Sequence, residues 1–385
     1  MTERIIDITQ PKRLNFGPGC LDSLGNQIQQ AGVSNIYLLV APELLDKVNP
    51  ILDGLRADGI KIQVDTSIFG EPTISMLEAS ISSARSTGAD CVLGVGGGSV
   101  MDVAKGVAAM IGNDQLLEDA FGIGNLQKRE PFLILAPTTS GTGSEVSPNA
   151  IYFDESVQLK RAIISPLLVA DAVFVEPELT LTAPPGLTAA SGMDALTHCI
   201  EAYTNKFAHP MVDGFALQGI RLISQNLEQA VIRGDNLEAR INLAQGSLFG
   251  GMCLGPVNTA GVHALAYPLE GIFKIPHGLA NSILLPYVMS FNLEANEERY
   301  ADVALAMGVR FDEDTSSTAL KGIEATRDLA DACGIPAGVP QLAEVPEKIE
   351  DLADSAMTVT RLLRNNPREI TRDDAIALYK NLVTE

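Results

Sequence analysis

At 385 residues the chain is long enough for two domains with their own cores, and too long for a small scaffold held together by disulfides. Hydrophobic residues make up 46% and charged residues 19%, which excludes a disordered chain, and 48 acidic against 27 basic side chains give a net charge of −21 that repels nucleic acid. The first sixteen residues include Glu3, Arg4, Asp7, Lys12 and Arg13, so they lack the apolar core of a secretion signal. The apolar stretch at 162–175 is interrupted by Pro166 and Asp171 and falls short of the roughly 20 residues a spanning helix needs, so no membrane segment is expected. Cys20, Cys91, Cys199, Cys253 and Cys333 are scattered, odd in number and without a C-x-x-C pair, the usage of packing thiols in a reduced, cytoplasmic protein.

Along the first half, short aliphatic runs at 36–40, 61–64, 91–95, 132–135 and 172–175 predict strands. Stretches with helical spacing at 77–87 and 103–111 lie between them, the first closed by Gly88. That alternation predicts a parallel sheet with covering helices. The runs at 149–153 and 160–164, separated by Asp154, Glu155 and Ser156, predict a hairpin added to the same sheet. After Pro184 and Pro185 strand-like runs largely vanish, and amphipathic stretches at 212–224, 237–254 and 298–307 predict helices. Thr371-Arg-Asp-Asp374 has capping-box spacing, with aspartate in place of glutamate, ahead of a closing helix at 375–382. The division expected is an α/β domain over 1–185 and an all-α domain over 186–385, packed around one cleft, where ligands favour binding.

Two loops carry phosphate-binding character. Gly94-Val-Gly-Gly-Gly-Ser99 joins a predicted strand to a predicted helix, and its glycines let backbone N–H groups approach an anion at a helix N-terminus. It matches neither G-x-G-x-x-G nor G-x-x-x-x-G-K-[ST], and a tight turn without a ligand uses the same residues. Pro137-Thr-Thr-Ser-Gly-Thr-Gly-Ser-Glu145 follows the next strand with five hydroxyls and two glycines, which also suits a plain Ser/Thr-rich turn. Two such loops at strand C-termini favour a ligand, because open α/β sheets bind ligands at that edge.

A second constellation lies in the helical half. Asp194 and His198 are four apart in a predicted helix and so share a face. His263 and His277 follow, so three of the chain's four histidines sit in short segments rich in small residues, while His209 stands apart. Three imidazoles with one carboxylate argue for a divalent metal, Fe(II) or Zn(II). Four protein ligands close a tetrahedral zinc site, whereas Fe(II) accepts a further ligand, the place for a substrate oxygen. A phosphate loop together with a Lewis-acid metal suggests hydride transfer.

These motifs, in this order from Gly17 to Asn366-Pro-Arg-Glu369, resemble the iron-dependent (group III, or iron-containing) alcohol dehydrogenase family. The resemblance implies a Rossmann-like N-terminal domain of the dehydroquinate synthase kind and a helical C-terminal domain. It also implies NAD(P)-linked interconversion of small alcohols with aldehydes or ketones. Position by position, Asp194, His198, His263 and His277 fall on the family's metal ligands. Gly96, Gly97, Gly98, Ser99 and Asp102 fall on its pyrophosphate motif, and Thr138, Thr139 and Thr142 on its second cofactor loop. Lys160 corresponds to a lysine near the cofactor ribose, and Leu179 to a residue near the nicotinamide. The family further implies a homodimer or larger assembly through the N-terminal domains.

Two positions depart from the family pattern. Where NAD-preferring members carry an aspartate for the adenosine 2′-hydroxyl, this chain has Val40-Ala-Pro42, so NADP is not repelled there, although no cation precedes Lys47 to attract it. Where the family often has a further histidine, this chain has Tyr267, a pocket-lining residue or, with its hydroxyl acidified by the metal, a proton donor or acceptor. Cys199, beside His198, points elsewhere on the helix and reads as packing. Rival functions on the same fold are reduction of an acidic carbonyl compound such as maleylacetate, with Lys274 and Arg299 the nearest cations, and a dehydroquinate synthase-like lyase. A non-catalytic metal or nucleotide-binding protein is the third.

Overall fold

Four of the apolar runs of the first half, at 36–40, 91–95, 132–135 and 172–175, form strands buried along almost their whole length, as the interior of a sheet covered on both faces requires, while the run at 61–64 forms a more exposed strand. The computed structural model describes residues 4–157 and 159–383, and these divide into two units, 8–182 and 183–383 with 4–7. The first unit runs β1 (Arg13–Phe16), α1 (Leu24–Gln30), β2 (Asn35–Val40), α2 (Leu45–Ala57), β3 (Lys61–Asp65), α3 (Ile74–Arg85), β4 (Cys91–Gly96) and α4 (Gly98–Met110). It continues through α5 (Leu117–Ala120), β5 (Gly122–Ile123), β6 (Phe132–Pro137), β7 (Asn149–Asp154), β8 (Leu159–Ile164) and β9 (Ala172–Val175). Six strands form one wholly parallel sheet in the order β1-β9-β6-β4-β2-β3.

From β2 the chain crosses to β3 on one side, then returns to β4 and continues to β6 on the other, so the order reverses between β2 and β4. That reversal opens a crevice at their C-terminal ends, the ligand position of doubly wound sheets. Helix α4 starts at Gly98, earlier than the sequence suggests, because the Met101 N–H already bonds to the Gly97 carbonyl. The connection after β4 is therefore a sharp turn: Gly96 ends the strand, Gly97 is the N-cap and Gly98 opens the helix.

Three further features differ from expectation. The short strand β1 holds one edge of the main sheet, pairing with β9, although Arg13-Leu-Asn-Phe16 gives no apolar run. Helix α3 begins at Ile74, where the Thr73 hydroxyl accepts the Met76 N–H as an N-cap. The hairpin β7–β8 is antiparallel as predicted but does not extend the parallel sheet; with β5 it makes a separate three-stranded sheet. Both edges of the main sheet are taken by β1 and β3, and the hairpin is instead bonded to α4, where the Asp102 carboxylate accepts the Ile151 N–H at 2.9 Å.

The second unit is helical: α6 (Pro185–Thr204), α7 (Pro210–Ile232), α8 (Leu237–Leu254), α9 (Gly261–Phe273), α10 (His277–Asn292), α11 (Glu297–Met307) and α12 (Thr315–Ala332). Four shorter helices follow, α13 (Gln341–Glu344), α14 (Lys348–Met357), α15 (Thr360–Leu363) and α16 (Arg372–Lys380). Helix α6 is buried on every side from Gly192 to Thr204, with α7, α8 and α10 packed around it, and α9 packs on α10. The last helix has the predicted reciprocal cap: the Asp374 N–H donates to Thr371 Oγ1 at 3.2 Å and the Thr371 N–H to Asp374 Oδ2 at 2.9 Å. No helix among the described residues is long and apolar enough to cross a membrane.

Candidate metal centre and nucleotide loops

Three helices of the second unit bring the four predicted ligands together. Asp194 and His198 lie one turn apart on α6, His263 sits in the first turn of α9, and His277 opens α10. The Nε2 atoms of His198, His263 and His277 stand 3.9, 3.6 and 3.8 Å from Asp194 Oδ1. The rings of His198 and His263 stack at 4.8 Å, and that of His277 meets His263 edge-on at 5.3 Å. Asp194, His198 and His263 are buried, while His277 is partly exposed.

Carboxylates that the sequence reasoning missed orient two of these rings. His263 Nδ1 donates to Glu201 Oε2 at 2.5 Å, and the other Glu201 oxygen accepts the Val262 N–H at 2.6 Å. His277 Nδ1 donates to Glu270 Oε1 at 2.6 Å. Because an ionised carboxylate only accepts, each ring carries its proton on Nδ1 and turns Nε2 toward Asp194. A signal was present: Glu201 lies seven residues beyond Asp194, and Glu270 seven beyond His263, two helical turns along the same face. Asn281, one turn beyond His277, donates from Nδ2 to Asp194 Oδ1 at 2.8 Å.

Electrostatics follow from this packing. Burial works against the Asp194 carboxylate, yet the surrounding His198, His277 and His263 hold its pKa far below the usual range. Burial likewise disfavours charge on His263, but Glu201 and Asp194 on either side raise it to about 9. A divalent cation offers these acids the same compensation without protons, and metal binding would release them. Tyr267, one turn along α9 from His263, has its ring 6.0 Å from that of His277. Cys199 packs against α7 and α8, where a Cβ on Gly219 would stand 2.5 Å from its sulfur. His209 lies apart and caps α7, its Nδ1 accepting the Met211 N–H.

In the first unit the predicted cofactor residues gather at the C-terminal edge of the parallel sheet. Pro42 opens the turn after β2, where the Ala41 N–H bonds to the Val95 carbonyl. Gly97 is the N-cap of α4 and brings no side chain, so the N–H groups of Gly98, Ser99 and Val100 precede the first intrahelical bond. The second loop lies against this turn. The Thr138 N–H bonds to the Gly96 carbonyl at 3.0 Å, and a Cβ on Gly98 would stand 2.7 Å from the Thr142 methyl; one on Gly97 would lie 3.5 Å from Thr139.

Leu179 is buried in the turn after β9, and Lys47 Nζ donates to the neighbouring Glu178 carbonyl. Lys160, on β8, pairs with Glu71 at 3.1 Å. The Asp102 carboxylate accepts from Ser144 Oγ and the Ile151 N–H, both in the chain that leads into and through β7.

The sequence profile described as "Iron-containing alcohol dehydrogenase" matches residues 11–177, and that described as "Fe-containing alcohol dehydrogenase family, C-terminal" matches 188–383. The long-chain-alcohol dehydrogenase 1 of Geobacillus thermodenitrificans is 37% identical, over 97% of this chain and 95% of the relative. The crystal structure of a 1,3-propanediol oxidoreductase superposes with a TM-score of 0.94 at 33% identity, covering 98% of this chain and 100% of the other. That of the sulfoacetaldehyde reductase from Bifidobacterium kashiwanohense, in complex with NAD+, gives 0.89 at 29% identity, covering 99% of each chain. On these matches along nearly its whole length, the chain belongs to the iron-containing alcohol dehydrogenase family.

Proposed function

We propose that this oxidoreductase interconverts a small alcohol and its aldehyde or ketone with NAD, using a divalent iron ion held by Asp194, His198, His263 and His277. The observation that carries the proposal is the convergence of three imidazole Nε2 atoms within 3.6–3.9 Å of one carboxylate oxygen. His263 Nε2 is buried and makes no hydrogen bond to a described residue, and Asp194, His263 and His277 each direct one donor atom into the same small space, so a cation fits there. Bound there, the ion supplies a Lewis acid for the substrate oxygen, and NAD supplies the hydride acceptor. Three nitrogens and one oxygen without thiolate suit iron or zinc, and the need for a further coordination position favours iron.

The chain's own contribution is orientation. Glu201 and Glu270 accept from Nδ1 of His263 and His277, which turns both Nε2 atoms toward Asp194; His277 Nε2 there also accepts from Asn281 Nδ2 at 3.2 Å. In the other unit the first turn of α4 and the hydroxyls of Thr138, Thr139 and Thr142 receive the pyrophosphate, with Pro42, Lys160 and Leu179 lining the remainder of the cofactor. NAD is favoured over NADP because Glu43 and Asp46 stand beside Pro42, and Lys47 donates its ammonium to Glu178. Tyr267 lines the substrate side of His277. An acidic substrate is disfavoured: the Arg299 guanidinium is engaged by both Asp213 oxygens, at 3.1 and 2.6 Å.

The five unpaired thiols support a reducing, cytoplasmic setting. The exposed Leu116, Ile123, Val157 and Leu159 of the first unit support a homodimer or larger assembly through it. Elemental analysis after anaerobic loading tests the metal assignment. Wild type should retain about one equivalent of iron per chain and Asp194→Ala little; equal retention would remove these residues from the site.

A further inference from the structure

Helix α4 offers free N–H groups from its first turn and grips another chain segment with its second and third. Asp102, Lys105 and Gly106 are three and four residues apart, so they share one face. From that face Asp102 Oδ1 accepts the Ser144 hydroxyl at 2.5 Å, Oδ2 accepts the Ile151 N–H at 2.9 Å, and the Asp102 carbonyl accepts the Tyr152 hydroxyl at 2.6 Å. Lys105 Nζ donates to the carbonyls of Ser147 at 3.0 Å and Asn149 at 2.7 Å. Gly106 leaves the necessary room, since a Cβ there would stand 2.3 Å from the Tyr152 oxygen.

This is an expensive arrangement for a purely local fold. Lys105 is completely buried, 4.0 Å from Asp102, and burial lowers its pKa to about 8. A ligand cannot reach it, and both Asp102 carboxylate oxygens already accept donors from the protein. What the bonds hold is the downstream end of the second cofactor loop. Ser144 follows Thr142 by two residues and donates its N–H to Thr142 Oγ1 at 3.3 Å, and the Thr142 methyl lies against Gly98. The hydroxyl-bearing loop is thereby set over the first turn of α4 by bonds from the same helix, so its conformational entropy is removed before a ligand arrives.

We propose that Asp102 and Lys105 are positioning residues for the nicotinamide cofactor: they clamp the 138–147 loop and β7 onto α4 in the conformation that receives the pyrophosphate, without touching the pyrophosphate themselves. The proposal rests on the assignment of these loops to NAD. It separates Asp102 from its neighbours Gly96–Ser99, which share its sequence motif and meet the ligand directly.

The test compares Asp102→Ala, Asp102→Asn and Ser144→Ala in the iron-loaded full chain, measuring NADH affinity by fluorescence titration, KM for NAD, kcat and thermal midpoint. Asparagine keeps the carboxylate's part of the clamp, its Oδ1 accepting the Ile151 N–H and its Nδ2 donating to Ser144 Oγ, whereas alanine removes both of those bonds and leaves the ones from Lys105 and the Asp102 carbonyl. Asp102→Ala should weaken NADH binding and raise KM for NAD by about tenfold or more. Its kcat at saturating NAD should stay within about twofold of wild type. Asp102→Asn should restore affinity to within about threefold of wild type.

Ser144→Ala, which removes a single bond, should cost about threefold and decides the matter if Asp102→Ala does not fold. An asparagine variant as impaired as the alanine one would mean that the carboxylate charge meets the cofactor, and unchanged affinity in Asp102→Ala or Ser144→Ala would mean that the clamp does not set the loop. Either result overturns the proposal while leaving the NAD assignment intact. Failure of the wild-type protein to bind NADH would overturn both, and that is read before any variant.

Discussion

The imidazole of His263 on α9 and the carboxylate of Glu201 on α6 meet at 2.5 Å, and the same carboxylate takes the N–H of Val262, the residue before that histidine. One buried side chain thus fixes both the tautomer of a candidate ligand and the start of the helix that carries it. Glu201→Gln leaves one acceptor oxygen for two donors, so an NH2 group faces one of them. Metal affinity should fall about 10–100-fold in competition with a chelator, using Co(II) or Zn(II) as the probe. Undiminished affinity would show that packing alone orients the ring.

Gly278 follows His277 in the first turn of α10, where a Cβ would lie 2.5 Å from the carbonyl oxygen of Ala190 on α6. Backbone cannot yield as a flexible side chain does, so Gly278→Ala should push α10 and His277 away from Asp194. The expected loss of metal affinity is about tenfold. Gly214→Ala on the exposed face of α7, where nothing lies within 4 Å, serves as the control and should leave affinity unchanged. Equal affinities in the two variants would contradict the close packing of α10 on α6.

Burial raises the Glu145 carboxyl from 4.5 to about 7, against the opposing pull of Lys105. The folded state therefore holds the proton more tightly than the unfolded chain. The resulting stabilisation is complete below pH 4.5 and is lost as pH rises through about 7. Glu145→Gln removes this dependence. Between pH 5 and 7.5 wild type should lose on the order of 2–3 kcal/mol relative to the variant, read from denaturant midpoints. Parallel stability curves for the two proteins would show that Glu145 ionises normally.

The convergence of the four candidate ligands was legible because histidine is scarce in this chain and the spacing of Asp194 and His198 defines a helix face. The structure places both with His263 and His277 as that pattern implies. Glu201 and Glu270 were not singled out, because they are two among 48 acids and only their seven-residue offsets mark them. Strand β1 escaped notice since it is four residues long and exists through its pairing with β9, a partner about 160 residues away. The hairpin was recognisable from its own residues, but its place was not: that depends on Asp102 and Lys105 of α4, bonds between residues more than forty positions apart. The start of α4 was placed too late because glycine is a poor helix former, a preference overridden here by the close approach of Val100 and Thr142 to Gly96 and Gly98.

The most direct measurement is anaerobic turnover after metal exchange. Protein stripped by a chelator is reloaded with Fe(II) or Zn(II) and assayed with NAD and a series of short alcohols and diols, beside His263→Ala treated identically. Stripped wild type should retain less than about 1% of its activity, with Fe(II) restoring it, Zn(II) restoring less, and neither rescuing His263→Ala. Full turnover by stripped protein, or by a His263→Ala protein that holds no metal, would contradict a metal-dependent dehydrogenase centred on Asp194.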